Sequence, residues 1–171
     1  MSKKTRLAFF AIFVGFFLVS YMMGAAYKMS DEEQQTFLND FHGLTEDIDA
    51  IGIFLHNAAD AMPMFVPAFG VAWGSYTAWS TGAAFHALLS TNPALEKISP
   101  LAIFLVSPYG VMELVAYSIG MSRGCLVLIA LIKRKNVNGQ IKPVAIEVSI
   151  ALGLLLVAAF VEYGFIHQVQ K

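Results

Sequence analysis

LAFFAIFVGFFLVSYMMGAA, residues 7–26, is a run of 20 residues without a charge, preceded by Lys3, Lys4 and Arg6 and followed by Lys28. As a helix it would be about 30 Å long, the thickness of the hydrocarbon core of a bilayer. Lipid must therefore be the solvent for part of this chain's surface. The apolar region of a secretory signal is shorter, roughly 7 to 15 residues, so the stretch is expected to remain as a first span, although Gly24-Ala25-Ala26 resembles a small-residue cleavage site. The whole composition agrees. Of 171 residues 57% are apolar and 13% charged, with a mean hydropathy of +0.65, where soluble globular domains carry about 25% charge. Disorder, a coiled coil and most water-soluble folds are excluded. With 11 basic against 12 acidic side chains there is no basic field to hold nucleic acid. The single cysteine, Cys125, can form neither an internal disulfide nor a cysteine-based zinc site, and its apolar neighbours predict a buried, inert thiol.

Outward from the first span the character changes at once. Ser30 followed by Glu33 reads as a capping box, and Phe37, Phe41, Leu44, Ile48 and Ile51 recur at steps of four and three, which predicts an amphipathic helix over residues 30–51. Its polar face is acidic, with Asp31, Glu32, Glu33, Asp40, Glu46, Asp47 and Asp49. It lacks the cationic face that draws a helix to anionic lipid, so it is expected to lie against protein. Residues 51–89 are apolar enough for one or two spans, interrupted by Pro63 and Pro67. A polar loop over residues 90–100 leads to a second block, 101–132, expected as a helix broken around Pro108-Tyr109-Gly110 and again one or two spans. After Lys133-Arg134-Lys135, residues 143–166 form the last span, with Pro143 in its first turn.

Basic residues favour the cytoplasmic side. Lys3, Lys4 and Arg6 at one end and the 133–142 cluster at the other then require an even number of crossings between them. The reading is an all-α polytopic transmembrane bundle of about five spans, one block crossing twice or holding a re-entrant pair. The amino terminus is cytoplasmic, and the acidic helix and carboxyl terminus lie outside. Four spans is the alternative.

Charged groups inside a bilayer cost roughly 2.5 to 3.5 kcal/mol each on insertion scales, so those that occur usually face protein and have a role. Here they are Asp60, Glu113, Glu147 and Glu162, with Arg123 the one cation inside the same blocks. Glu147 is expected to pair with Lys142 and the basic loop. Glu162 has no local partner. Glu113 and Arg123, ten positions apart, sit about 80° around and 15 Å along a straight helix and cannot pair on it. His56 and Asp60 are four apart and share a face with Asn57 beside them, a spacing that suits a metal pair or a proton relay, but two ligands do not make a metal site. Met62 and Met64 read as packing residues rather than copper ligands. His42 and His167 fall in polar segments, and His86 is expected to bond within the protein. No nucleophile elbow, P-loop or cysteine-histidine pattern appears, so no catalytic residue, cofactor or metal is expected.

Small residues give a second signal. Gly70 and Gly74, and again Gly120 and Gly124, are glycines four positions apart, which lets helix backbones approach closely. Trp73, Tyr76 and Trp79 recur every third residue and read as packing or as an interfacial belt.

Three further segments carry a resemblance. Residues 53–57 read IFLHN, 107–114 read SPYGVMEL and 155–162 read LLVAAFVE. In this order they resemble the asparagine, proline-glycine-glutamate and alanine-alanine-glutamate elements of the stage II sporulation protein M family of multi-pass membrane proteins. Tyr109 stands where that family usually has histidine, and Thr81-Gly82 where it often has asparagine-glycine. The resemblance implies a multi-pass fold, a non-enzymatic partner role, and importance for Asn57, Glu113 and Glu162. The expectation is a scaffold or accessory subunit of a larger membrane complex, such as a membrane-bound metabolic or respiratory enzyme, with the bilayer and other integral membrane proteins as partners in a hetero-oligomer. A proton- or ion-coupled transporter or channel using the intramembrane carboxylates is the alternative.

Overall fold

The computed structural model describes residues 2–45, 48–91, 99–134 and 138–169, with the side chains of residues 40–45, 103 and 169 excepted. Among them the chain is all-α, with helices α1 (Lys3–Ala25), α2 (Asp31–Thr45), α3 (Ala50–Met64), α4 (Phe69–Ser90), α5 (Pro100–Val106), α6 (Pro108–Ile132) and α7 (Asn138–Val169). Three of these, α1, α6 and α7, are long and apolar enough to cross a membrane. Much of α1 and α7 is left uncovered by protein, and large side chains such as Ile12, Val19, Val157 and Phe160 stand exposed. That is the expected surface of a protein whose solvent is hydrocarbon.

Local chemistry sets the helix ends. Ser2 caps α1 by accepting from the Thr5 backbone N–H at 3.1 Å. Ahead of α2 the capping box forms as read: the Ser30 N–H donates to Glu33 Oε2 at 2.8 Å and the Glu33 N–H to Ser30 Oγ at 3.3 Å. The amphipathic segment does not run on to residue 51. Asp49 accepts from the Gly52 N–H at 2.7 Å and starts α3, so a helix N-cap interrupts the apolar periodicity. Residues 46 and 47 lie outside the described residues.

The 51–89 block is two helices. α3, at 15 residues, is about 22 Å long, short of the hydrocarbon thickness. α4 has the length, 22 residues, but carries Ser75, Thr77, Ser80, Thr81 and His86. Between them Phe69 N–H donates to Pro67 O at 2.9 Å across Ala68, whose φ is 67°. This is a γ-turn of the strained hand, held by the packing around it. The next break is at Ser107, which caps α6 by accepting from the Gly110 N–H at 3.2 Å and places Pro108 in the first turn. α7 begins five residues earlier than the apolar run, so Pro143 falls inside it.

The core is built where α1, α3, α4, α6 and α7 meet. Phe17, Tyr21, Met64, Met121 and Leu155 are fully buried. Phe17 stacks on Tyr117 at 5.6 Å and Tyr21 on Phe104 at 4.8 Å, joining α1 to α6 and α5. α6 and α7 run antiparallel, with Arg123 against Glu147 near one end and the Tyr109 ring 6.2 Å from Phe165 near the other.

Candidate functional site

Two polar layers cross the bundle, separated along α6 by the ten residues from Glu113 to Arg123, about 15 Å.

The first layer brings three helices together on one carboxylate. From α1, Arg6 donates through Nε to Glu147 Oε1 at 2.8 Å and through Nη2 to Oε2 at 2.7 Å, while its Nη1 reaches Ser122 Oγ at 2.8 Å. From α6, Arg123 donates through Nε to Glu147 Oε2 at 2.8 Å and through Nη2 to Oε1, and its Nη1 reaches Gln140 Oε1 at 3.4 Å. Each oxygen of Glu147 thus accepts from both guanidinium groups, a doubly bidentate arrangement that only arginine can make. Arg123 is 4% exposed. The expected partner Lys142 is exposed on the far side of this turn. Glu147 is instead taken by two planar donors fixed on packed helices. Arg123 is therefore committed to Glu147, and not to Glu113.

The second layer is acidic. Asn57 on α3, 8% exposed, donates through Nδ2 to Glu113 Oε1 on α6 at 2.9 Å. Asp60, on the next turn of α3, and Glu162 on α7 both lie within electrostatic reach of Glu113. His56 Nε2 is 4.0 Å from Asp60 Oδ2, on a side chain that is largely in the open. The Tyr117 phenol of α6 sits in the field of all three carboxyl groups and the Tyr109 phenol in that of Glu113 and Glu162. The spacing of residues thus brings Asn57, Asp60, Glu113 and Glu162 together from three helices, with His56 at the edge. Among the described residues no three His, Cys, Asp or Glu side chains converge as metal ligands would.

The glycines sit at close approaches. A Cβ on Gly70 would run into the Met64 carbonyl, on Gly74 into the Met121 side chain, on Gly110 into the Phe104 carbonyl, on Gly120 into Met64 and Phe65, and on Gly124 into the Met64 carbonyl. Sequence reasoning missed a further pair. Gly24 of α1 lies against the Trp79 carbonyl and Gly82 of α4 against the Tyr21 carbonyl, at the most extensive helix contact in the protein. Of Gly24-Ala25-Ala26, Gly24 is buried at this contact and Ala26 is exposed. Arg6 was also missed as a site residue. Its signal was the choice of arginine rather than lysine at the edge of the span, next in sequence to the apolar run.

The remaining candidates stay apart. Trp73 Nε1 donates to the Asp60 carbonyl at 3.0 Å, and its ring stands 5.8 Å from Phe69 and 5.9 Å from Tyr76, in a row that is partly exposed. His86, expected to bond within the protein, is half-buried and makes no side-chain hydrogen bond among the described residues. His167 is exposed beside the Tyr163 ring. The His42 side chain lies outside the described residues. Cys125 is half-buried. Two shallow hollows, one against α2 at Ser30, Glu33 and Phe37 and one at Val127 and Val144, do not border the acidic layer.

No family model, curated protein or solved structure matches the chain.

Proposed function

We propose that this protein is a non-enzymatic scaffold or accessory subunit of a larger membrane complex. The observation that carries the reading is the pairing of its polar groups. Glu147 is closed by protein donors and Glu113 is held by Asn57. Apolar faces on α1 and α7 left free by the fold supply area for lipid and for other membrane helices. The remote resemblance to the stage II sporulation protein M family agrees with a partner role, and the activity of the assembly, such as that of a membrane-bound metabolic or respiratory enzyme, would reside in other subunits.

The same reading places the protein in the cell membrane with five crossings, α3 and α4 together completing the count. Arg6 meeting Glu147 brings the basic amino terminus to the same end as the basic 133–142 cluster, which supports a cytoplasmic position for both. Single cysteines at positions 30 and 138, introduced after Cys125→Ser and alkylated by an impermeant reagent, should then label from opposite sides. Labelling from the same side contradicts five crossings.

Gentle detergent extraction followed by native mass analysis tests the function. The chain should be found in a particle heavier than its own 18.7 kDa. A free monomer, under conditions that keep neighbouring complexes intact, contradicts the reading. One observation favours the proton- or ion-coupled transporter as a second reading: Glu113 lies in the field of carboxyl groups on two other helices, Asp60 and Glu162. Normal abundance of Glu113→Gln with lost solute flux would support it, whereas lost assembly supports the subunit.

A further inference from the structure

The layer around Glu147 is closed but not neutral. Two guanidinium groups, those of Arg6 and Arg123, meet one carboxylate, which leaves a net positive charge between α1, α6 and α7. The same sign continues toward the end of the protein. The first turn of α1 adds Lys3 and Lys4, the end of α6 adds Lys133 and Arg134, and the start of α7 adds Lys142, all of them exposed. Across residues 1–6 and 122–148 of the sequence Glu147 is the only acid.

A second observation concerns shape and not charge. A hollow of about 380 Å³ opens between α6 and α7 on Val127, Gln140, Ile141, Val144 and Ala145. Its walls are apolar except at Gln140, whose Oε1 accepts from Arg123 Nη1 at 3.4 Å and whose amide nitrogen makes no hydrogen bond among the described residues. The hollow thus begins where the ionic layer ends. Arg134 follows Val127 by seven residues, two helical turns, and so lies near the same stripe of α6. Its φ is 50°, just past the helix end, where glycine is the usual residue and an arginine is held at a conformational cost. Leu131, Ile132, Ile141 and Ile146 stand exposed among these bases.

We infer that the basic end of α6 and α7 binds an anionic phospholipid, with its phosphate at Lys133 and Arg134 and an acyl chain in the hollow at Val127, Ile141, Val144 and Ala145. Charge complementarity selects the headgroup, because basic pockets between membrane helices attract anionic lipid. The apolar hollow selects a ligand that carries hydrocarbon, since a soluble anion would use the bases alone. Gln140, polar at the edge of the hollow, supplies an amide donor for a phosphate or ester oxygen. The inference goes beyond the accessory-subunit reading and does not depend on it, because it concerns the end of the bundle away from the acidic layer.

The test is native mass analysis of the full chain in detergent, titrated with phosphatidylglycerol or with phosphatidylcholine of the same acyl chains, and reads the lipid retained. Phosphatidylglycerol should be retained at about tenfold lower concentration than phosphatidylcholine. The preference should fall to near equality in Lys133→Gln/Arg134→Gln and persist in Lys28→Gln, which removes a charge at the opposite end. Ala145→Phe fills the hollow and keeps every charge, and it should weaken retention of phosphatidylglycerol. Glycerol 3-phosphate, an anionic phosphate without acyl chains, should not displace the bound lipid. Equal retention of the two lipids by the wild-type protein overturns the inference without relying on any variant. A preference that survives Lys133→Gln/Arg134→Gln overturns it as well, as does retention unchanged by Ala145→Phe. Displacement by glycerol 3-phosphate would assign the site to a soluble phosphate and likewise overturn it.

Discussion

Glu147 and Glu162 belong to one helix, 15 residues and about 22 Å apart on nearly the same face, and their surroundings are opposite. Glu147 accepts four hydrogen bonds from Arg6 and Arg123, and Glu162 accepts none among the described residues. The difference lies in what the neighbouring helices bring. α1 and α6 deliver arginines to the first position, while α3 and α6 deliver more acid to the second. An ionic layer closed within one chain belongs to its fold. The second layer keeps one sign of charge and is held by the amide of Asn57.

The largest expected effect is on the closed layer. Arg123→Met removes two of the four hydrogen bonds on Glu147 while the bidentate Arg6 pair remains, and should cost about 3 kcal/mol, read as unfolding in mixed micelles or as loss of recoverable protein. Arg6→Met, at a more exposed position, should cost less. Next comes the single hydrogen bond in the acidic layer. Asn57→Ala should destabilise by about 2 kcal/mol by stripping Glu113 of its donor, and a neutral result would mean that water reaches the carboxyl group. Between the layers Ser118 is fully buried with its hydroxyl unbonded among the described residues. Ser118→Ala should therefore stabilise, by up to about 1 kcal/mol, against the usual sign for a truncation in a packed helix.

The smallest effect lies outside the membrane helices, at the cap of α2. The Ser30 backbone N–H, and then its hydroxyl, hold the Glu33 carboxyl below the usual carboxylate range. Its folded value is depressed, so its contribution is present above the ordinary range and is lost as pH falls through the lowered value. Fraying of α2 in acid, followed by amide exchange, should be shifted to higher pH by Ser30→Ala, with α6 and α7 unaffected.

The readable parts of this fold are the local ones. The uncharged run at residues 7–26 gives α1, Ser30 and Glu33 give the start of α2, and Pro108 with Gly110 gives the break before α6. Each depends on residues within a turn of one another. The start of α3 was hidden because Ile48 and Ile51 continue the apolar period past Asp49, whose capping bond decides the boundary. α7 begins earlier than its apolar run because polar residues at 138–142 extend the helix toward the basic loop. In the site, Asp60, Glu113, Glu147 and Glu162 were legible because an acid in an apolar block is costly wherever it stands. Their order into two layers was not. The Arg6–Glu147 contact joins residues 141 positions apart, and no spacing rule reaches that far. Glu147 was assigned to Lys142 because sequence shows the nearest cation and not the best-fitting one.

The most direct test measures stability and assembly together in Glu147→Gln and Glu162→Gln. Unfolding of the isolated chain and the native mass of the extracted particle would be read from the same preparations. Glu147→Gln should lower both, whereas Glu162→Gln should leave the isolated chain as stable as wild type and reduce the particle to a single chain. A Glu162→Gln protein as unstable as Glu147→Gln, or one that keeps the full particle mass, would contradict the proposal that the first layer serves the fold and the second serves assembly.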